Sequence, residues 1–268
     1  MDNSFTEKTS MVGGREVNII STEMEKESVY KTNSLFWDTA VSDAVGVIAL
    51  PLYGAFVSEE KCRLFDDISE KRLLEIGCGS GESLKYLAER NPSELWGIDI
   101  SEKQIEKAKR LLTEHGFSAK FICSPMEEEC GIPKDYFDLV YSVYAIGWTT
   151  NLDTAFCKIA SYLKKGGVFI FSWSHPIHKC VAAENNMLVF KKCYFDESRY
   201  SLSLGEGILT LSDYKISTYI NALSKAGFAI EKMVEESDDD IIGDNNSTFA
   251  GKAKMLPVTF VIKAIKIK

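Results

Sequence analysis

The sequence predicts an α/β fold, a mostly parallel sheet with helices on both faces. Two observations carry this reading. From Lys71 to Trp173 short apolar strands alternate with helices of similar length, the pattern of successive β-α-β units. Two later strands, Phe228–Val234 and Val258–Lys268, lie close together in the chain, which suggests an antiparallel edge.

The elements follow in order. Residues 1–30 are polar, lack a clear period and read as an N-terminal arm, partly disordered. Residues 31–68 carry a helical pattern through Leu35, Phe36 and Ala40, then Val45 to Leu50, before a turn at Pro51. The core, 69–174, opens with the strand Arg72–Gly77 and the helix Glu82–Arg90, followed by the strand Glu94–Asp99. Ser101 is a good N-cap for a helix reaching His115, in which Ile105, Ala108, Leu111 and Leu112 repeat at three and four. Gly116 stops it. Strands Lys120–Cys123 and Phe137–Ser142, a helix Leu152–Leu163 and a strand Val168–Trp173 complete the core. Residues 175–212 hold several aromatics without a clean period and read as an insert after the fifth strand. Residues 213–268 supply a helix, Asp213–Ala226, the two late strands and a polar loop, Asp238–Asn246. Residues 31–268 thus form a single domain.

Composition narrows the function. The chain has 268 residues, 45% hydrophobic and 26% charged, which is ordinary globular usage. A net charge of -8 with scattered arginines argues against a nucleic-acid partner, which would need clustered cations. No stretch approaches the roughly 18 apolar residues that span a bilayer, so no membrane partner is expected. The polar start does not read as a secretory signal. The 7 cysteines include no CxxC pair. Reduced thiols in a cytoplasmic protein, without a structural metal, are the simple reading. Oligomeric state is not legible.

The segment Leu73-Leu-Glu-Ile-Gly-Cys-Gly-Ser-Gly81 joins a strand to a helix. Gly77, Gly79 and Gly81 allow positive φ and a close ligand approach, and the helix start offers free N–H groups. Such a turn suits a dinucleotide pyrophosphate or the amino-acid part of S-adenosylmethionine. A dinucleotide fingerprint is G-x-G-x-x-G/A. Here the third glycine comes one residue early and Glu82 fills the slot, where a carboxylate would repel a pyrophosphate. Glu75 suits a ligand with a cationic amine and sulfonium. Asp99, at the end of the second strand, can accept hydrogen bonds from both ribose hydroxyls of an adenosine.

On these residues the chain resembles the class I S-adenosylmethionine-dependent methyltransferases. The resemblance rests on Leu-Glu-Ile-Gly-Cys-Gly-Ser-Gly at 74–81, Gly-Ile-Asp-Ile-Ser at 97–101, Phe-Asp-Leu-Val-Tyr-Ser at 137–142, Leu-Lys-Lys-Gly-Gly at 163–167 and the helix at 219–228. It implies a Rossmann-like sheet of seven strands, mostly parallel with an antiparallel last strand, an N-terminal helical lid over the ligand, and S-adenosylmethionine as cofactor. It implies that Gly77, Cys78, Gly79 and Gly81 bed the methionine part, that Asp99 holds the ribose and that Ile100 lies against the adenine. Family members often carry an Asp near 125 for the adenine amino group. This chain has Pro125 there, so backbone around Ser124 and Met126, or the Glu127 carboxylate, would replace it. Ser142, Val143 and Tyr144 leave the fourth strand at the carboxyl end of the sheet, where ligands of open α/β folds sit.

Methyl transfer is an in-line displacement in which positioning carries much of the rate. His175, in Ser-Trp-Ser-His-Pro, is the candidate base or substrate ligand; the alternative is a histidine that only bonds locally before Pro176. Trp37, Tyr53, Trp148 and Trp173 are candidate pocket or lid aromatics. The runs Glu127–Glu129 and Asp238–Asp240 read as solvated loops. The expected activity is methyl transfer to O, N or C of a small molecule. A module that keeps the nucleoside site without catalysis, or a nicotinamide-dependent oxidoreductase, are the alternatives.

Overall fold

The computed structural model describes residues 9–12, 15–21, 25–39, 48–184, 187–204, 207–245 and 247–268. In chain order the elements are β1 (Thr9–Val12), β2 (Arg15–Ser21), α1 (Lys26–Trp37), β3 (Leu52–Gly54), β4 (Val57–Ser58), α2 (Glu59–Cys62), β5 (Arg72–Ile76), α3 (Glu82–Ala88), β6 (Glu94–Asp99), α4 (Glu102–Glu114), β7 (Lys120–Cys123) and β8 (Phe137–Val143). There follow α5 (Leu152–Tyr162), β9 (Leu163–Ser174), α6 (Pro176–Cys180), β10 (Val181–Glu184), β11 (Met187–Phe190), β12 (Tyr200–Leu204), β13 (Gly207–Leu211), α7 (Ile216–Lys225), β14 (Phe228–Val234), α8 (Asp239–Ile242), α9 (Thr248–Ala253) and β15 (Thr259–Lys266). A 3-10 turn, Ile146–Trp148, precedes α5.

The central sheet has seven strands in the order β14-β15-β9-β8-β5-β6-β7. Strands β7, β6, β5, β8 and β9 run parallel, and β15 lies antiparallel between β9 and β14. The predicted sheet and its antiparallel edge are both present. Leu73, Leu74 and Ile76 of β5 are all buried, because a central parallel strand is covered on both faces. Helix α4 begins where the Ser101 hydroxyl accepts the Gln104 N–H and buries Ile105, Ala108 and Leu112. Its packing defines one glycine: a Cβ on Gly81, φ +91, would stand 2.9 Å from Ala108 Cβ.

Three expectations need correction. The stretch 1–30 is not a featureless arm: β1 and β2 pair antiparallel, β2 pairs with β12, and α1 starts at Lys26. Among the described residues of the stretch 31–68 expected to be helical, the rest of α1 and the short α2 are helix, while Leu52–Gly54 and Val57–Ser58 are paired strands; most of the pattern around Val45 lies outside the described residues. The insert 175–212 is two hairpins, β10/β11 and β12/β13. Its strands were hidden because the second hairpin buries Tyr200, Leu202 and Leu211 against the core while the first leaves Met187 and Phe190 exposed. No single alternation spans both. No helix among the described residues is long and apolar enough to cross a membrane.

Candidate active site

The carboxyl ends of β5, β6 and β8 open into a cavity of about 230 Å³. Its floor is the turn after β5. Gly77, φ +71, has Ala145 against it, and an added Cβ would sit 2.2 Å from that residue's Cβ. Gly79, φ +49, has no atom within 4 Å of where a Cβ would stand, so its open side faces the space a ligand would fill. The Gly79 N–H donates to Asp99 Oδ2 at 2.8 Å, and the Ser101 N–H donates to Asp99 Oδ1 at 2.9 Å. Burial raises the Asp99 carboxyl above its usual range, opposed by these backbone donors. Glu75, 2% exposed, is pushed up further by burial, opposed by hydrogen bonds from Tyr141 and Ser83.

The roof is α1. Ser34 Oγ donates to the Ile100 carbonyl at 3.1 Å, and Gln104 Nε2 donates to the Trp37 carbonyl at 3.1 Å. Beyond the helix end, Asp38 Oδ1 accepts Ser101 Oγ at 2.5 Å. Asn33 makes two bonds with β13: its Nδ2 donates to Thr210 O, and its Oδ1 accepts the Thr210 N–H, both at 2.9 Å. The insert thereby holds α1 in place. Trp37 meets Trp148 edge-to-face at 5.6 Å, and Trp148 meets Trp173 at 5.1 Å. Gly147 makes room for that stack, since a Cβ there would fall 1.8 Å from the Trp173 ring.

Most of the sequence-predicted ligand residues converge on this cavity. Glu75, Gly77, Cys78, Gly79, Asp99, Ile100, Ser124, Pro125, Met126, Val143 and Tyr144 line it, together with Trp37 and Trp148. Others do not. Gly81 is spent on packing against α4. Ser142 donates its hydroxyl to Ile76 O inside the sheet. Tyr53 is fully buried with its hydroxyl on Glu59 Oε2 at 2.6 Å, which makes it part of the β3/β4 corner rather than a lid. Trp173 lies one layer behind the lining, against Tyr144 and Trp148. His175 lies outside the lining. It caps α6, its Nδ1 accepting the Ile177 N–H at 3.1 Å, and its Nε2 sits 2.7 Å from Glu235 Oε1. Both ring nitrogens are engaged away from the cavity.

Sequence reading missed Tyr30 and Asn33, which share an α1 face with Trp37 and line the cavity. Their spacing of three and four was the available signal, lost because Tyr30 fell in the stretch 1–30 read as an arm while Asn33 fell in the helical stretch beyond it. It also read the run Glu127–Glu129 as a solvated loop, which does not hold for Glu127, named as well as a candidate for the adenine amino group. That residue is 4% exposed and lines the cavity. Its Oε1 accepts Thr149 Oγ1 at 2.5 Å, Thr150 N at 2.5 Å and Thr150 Oγ1 at 3.0 Å. Glu128 and Glu129 form ion pairs with Lys26 and Lys158. Asp238 is likewise buried, bonded to Ser58 and Lys61 at the start of α8. An acidic run in sequence says nothing about which carboxylate meets buried donors.

Comparison with known proteins agrees with this geometry. A family model described as a methyltransferase domain matches residues 74–171. A Haemophilus influenzae protein named only as uncharacterized is 35% identical over 184 residues, covering 64% of this chain and 72% of that protein. A malonyl-[acyl-carrier protein] O-methyltransferase of Priestia megaterium is 31% identical over 140 residues, half of each chain. The structure of an S-adenosylmethionine-dependent methyltransferase from Mesorhizobium loti superposes with a TM-score of 0.66 at 23% identity, covering 79% of this chain and 98% of the other. The chain belongs to the class I S-adenosylmethionine-dependent methyltransferases. It is a methyltransferase, and its cofactor is S-adenosylmethionine. The open side of Gly79 and the carboxylates of Glu75 and Asp99 fit that cofactor, whose groups are a cationic amino-acid end and a ribose.

Proposed function

We propose that this protein methylates a small-molecule acceptor enclosed between the α1 lid and the end of β8. The observation that carries this is the roof: α1 bridges from Ile100 to the β12/β13 hairpin, with Tyr30 Oη 3.2 Å from Thr150 Oγ1, over a cavity of about 230 Å³. A folded macromolecule would need an open groove.

In this reading the cofactor supplies an electrophilic methyl carbon, and the chain's residues position it. Gly77 to Gly79 bed the methionine part, with Glu75 toward its ammonium. The Asp99 carboxylate receives the ribose hydroxyls. Ile100 and Met126 flank the adenine, and backbone at Ser124 and Pro125 or the Glu127 carboxylate meets its amino group. Val143, Tyr144 and Trp148 bound the acceptor, and exclusion of water by the aromatic roof strengthens every electrostatic contact inside. His175 has no part in the chemistry in this arrangement.

Calorimetric titration with S-adenosylmethionine, S-adenosylhomocysteine and NADH tests the cofactor site, with binding of the first two expected. Formation of S-adenosylhomocysteine with a filtrate of small metabolites, and none with protein or RNA, is the expected result for the acceptor. Turnover only with macromolecules would overturn it.

A further inference from the structure

The cavity divides in two under the methyltransferase reading above. Glu75, Asp99 and Glu127 belong to the cofactor, and Glu82 opens α3 directly behind the glycine turn, with Ser80 Oγ donating to its Oε2 at 2.7 Å. An acceptor is recognised by what remains. The remaining wall is Trp37, Ile48, Ala49, Val143, Tyr144 and Trp148, and no Lys, Arg or His lines the cavity among the described residues.

The polar side chains that share the lining are engaged within the protein. Tyr30 Oη bonds Thr150 Oγ1, and the Asn33 amide is spent on Thr210. Ser83 Oγ accepts the Leu50 N–H at 3.0 Å. The Tyr144 hydroxyl bonds toward Ser174 and Thr259, and its N–H donates to Ser172 Oγ at 3.2 Å. With both ends tied and the backbone held at φ 54 in the left-handed region, Tyr144 turns only its ring to the cavity. Trp37 and Trp148 stand at 72° to one another with centroids 5.6 Å apart, forming a corner of ring surface. Ile48, 37% exposed, carries the apolar wall out to solvent.

Such a wall has little to offer a charged or polyhydroxylated acceptor in return for its lost water, whereas rings gain by meeting rings edge-on or offset. Ring faces also attract cations. The cofactor, however, carries its own positive sulfonium, and a second cation in a site shielded from water would be repelled by it. Resting on the methyltransferase reading, and with the cofactor's carboxylates set aside, we infer that the acceptor is an uncharged molecule with an apolar ring body that lies against Trp37, Trp148 and Tyr144. The atom to be methylated is the polar group it carries into the cavity.

Matched pairs of ligands test this without the natural acceptor. The full-length protein is saturated with sinefungin, a cofactor analogue that keeps a positive charge in place of the sulfonium, and titrated with four phenols. Two pairs share a shape and differ in charge: 4-tert-butylphenol with 4-(trimethylammonio)phenol, and 4-isopropylphenol with 4-hydroxybenzoate. The uncharged member of each pair is expected to bind at least ~10-fold tighter. Trp148→Ala should weaken the uncharged phenols about 10-fold and Trp148→Phe should restore most of that loss, with sinefungin affinity unchanged in both. Equal or tighter binding of either ion, or no binding of the uncharged phenols, overturns the proposal on the unaltered protein alone. A parallel loss of sinefungin affinity in Trp148→Ala would also overturn it, by placing Trp148 in the cofactor bed. Failure of both sinefungin and S-adenosylhomocysteine to bind the unaltered protein would instead overturn the cofactor-site reading.

Discussion

At the scale of single residues, Asp99 joins the glycine turn to the start of α4, since its two oxygens take the Gly79 and Ser101 N–H groups. Asp99→Ala is expected to weaken S-adenosylmethionine binding at least ~10-fold, the loss of one charged hydrogen bond or more; calorimetry measures it. His175 behaves differently. His175→Ala removes the α6 cap and a partner of Glu235. It should cost about 1–2 kcal/mol of stability in urea melts with cofactor affinity unchanged; loss of turnover in a protein of native stability would restore it as a base. His178 sets a pH dependence. Burial first, then the charges of Lys252 and Lys179, hold it down at about 3, and its Nδ1 is buried with no hydrogen-bond partner. Between an ordinary ~6.5 and that value the unfolded chain binds a proton that the folded chain refuses. The contribution is therefore fully present above ~6.5 and is lost as pH falls toward about 3, with a slope of up to ~1.4 kcal/mol per pH unit. The shift of His175, also downward through burial and opposed by Glu235, has the same sign. His178→Phe should flatten the dependence of urea midpoints between pH 6.5 and 5.

At the scale of elements, the lid and the insert act together. The two bonds between Asn33 and Thr210 are buried, so Asn33→Ala removes both, at a cost of about 1–3 kcal/mol. We expect α1 to loosen and cofactor release to quicken, read by stopped-flow fluorescence of Trp37 and Trp148. An unchanged release rate would mean that the bonds to Ile100 and Gln104 suffice. The turn before α5 is constrained from behind. Gly147→Ala would drive a Cβ into the Trp173 ring and should destabilise by about 1–3 kcal/mol through overpacking, with altered near-ultraviolet dichroism as the tryptophan stack shifts. Neither element was visible as such in the sequence. The α1 pattern straddled a boundary drawn at residue 30. The hairpins of the insert mix buried and exposed faces, so period-2 alternation was lost.

At the scale of the whole molecule, α1, the end of β6 and the β12/β13 hairpin form one linked unit. A ligand that binds only the folded state stabilises it by about 2.7 kcal/mol at a concentration 100 times its Kd. Saturating S-adenosylhomocysteine should therefore raise the melting temperature, while NADH should leave it unchanged, and Asp99→Ala should abolish the gain.

What the sequence by itself determined was set by local chemistry. Strand and helix periods fixed the order of the central α/β units, because burial on both faces of a parallel sheet leaves a plain apolar signature. Glycines at 77 and 79 and the acid at 99 marked the turn that lines the cavity, because positive φ favours glycine and a strand-end acid can accept the turn's N–H groups. Only tertiary structure decided which side chains face the cavity. Gly81, Tyr53, Trp173 and His175 carry the right chemistry but spend it on packing and local bonds. Glu127 sat in an acidic run yet meets three buried donors. A side chain's role depends on what long-range packing brings against it, and contacts such as Asn33 with Thr210, distant in the chain, leave no trace in local sequence.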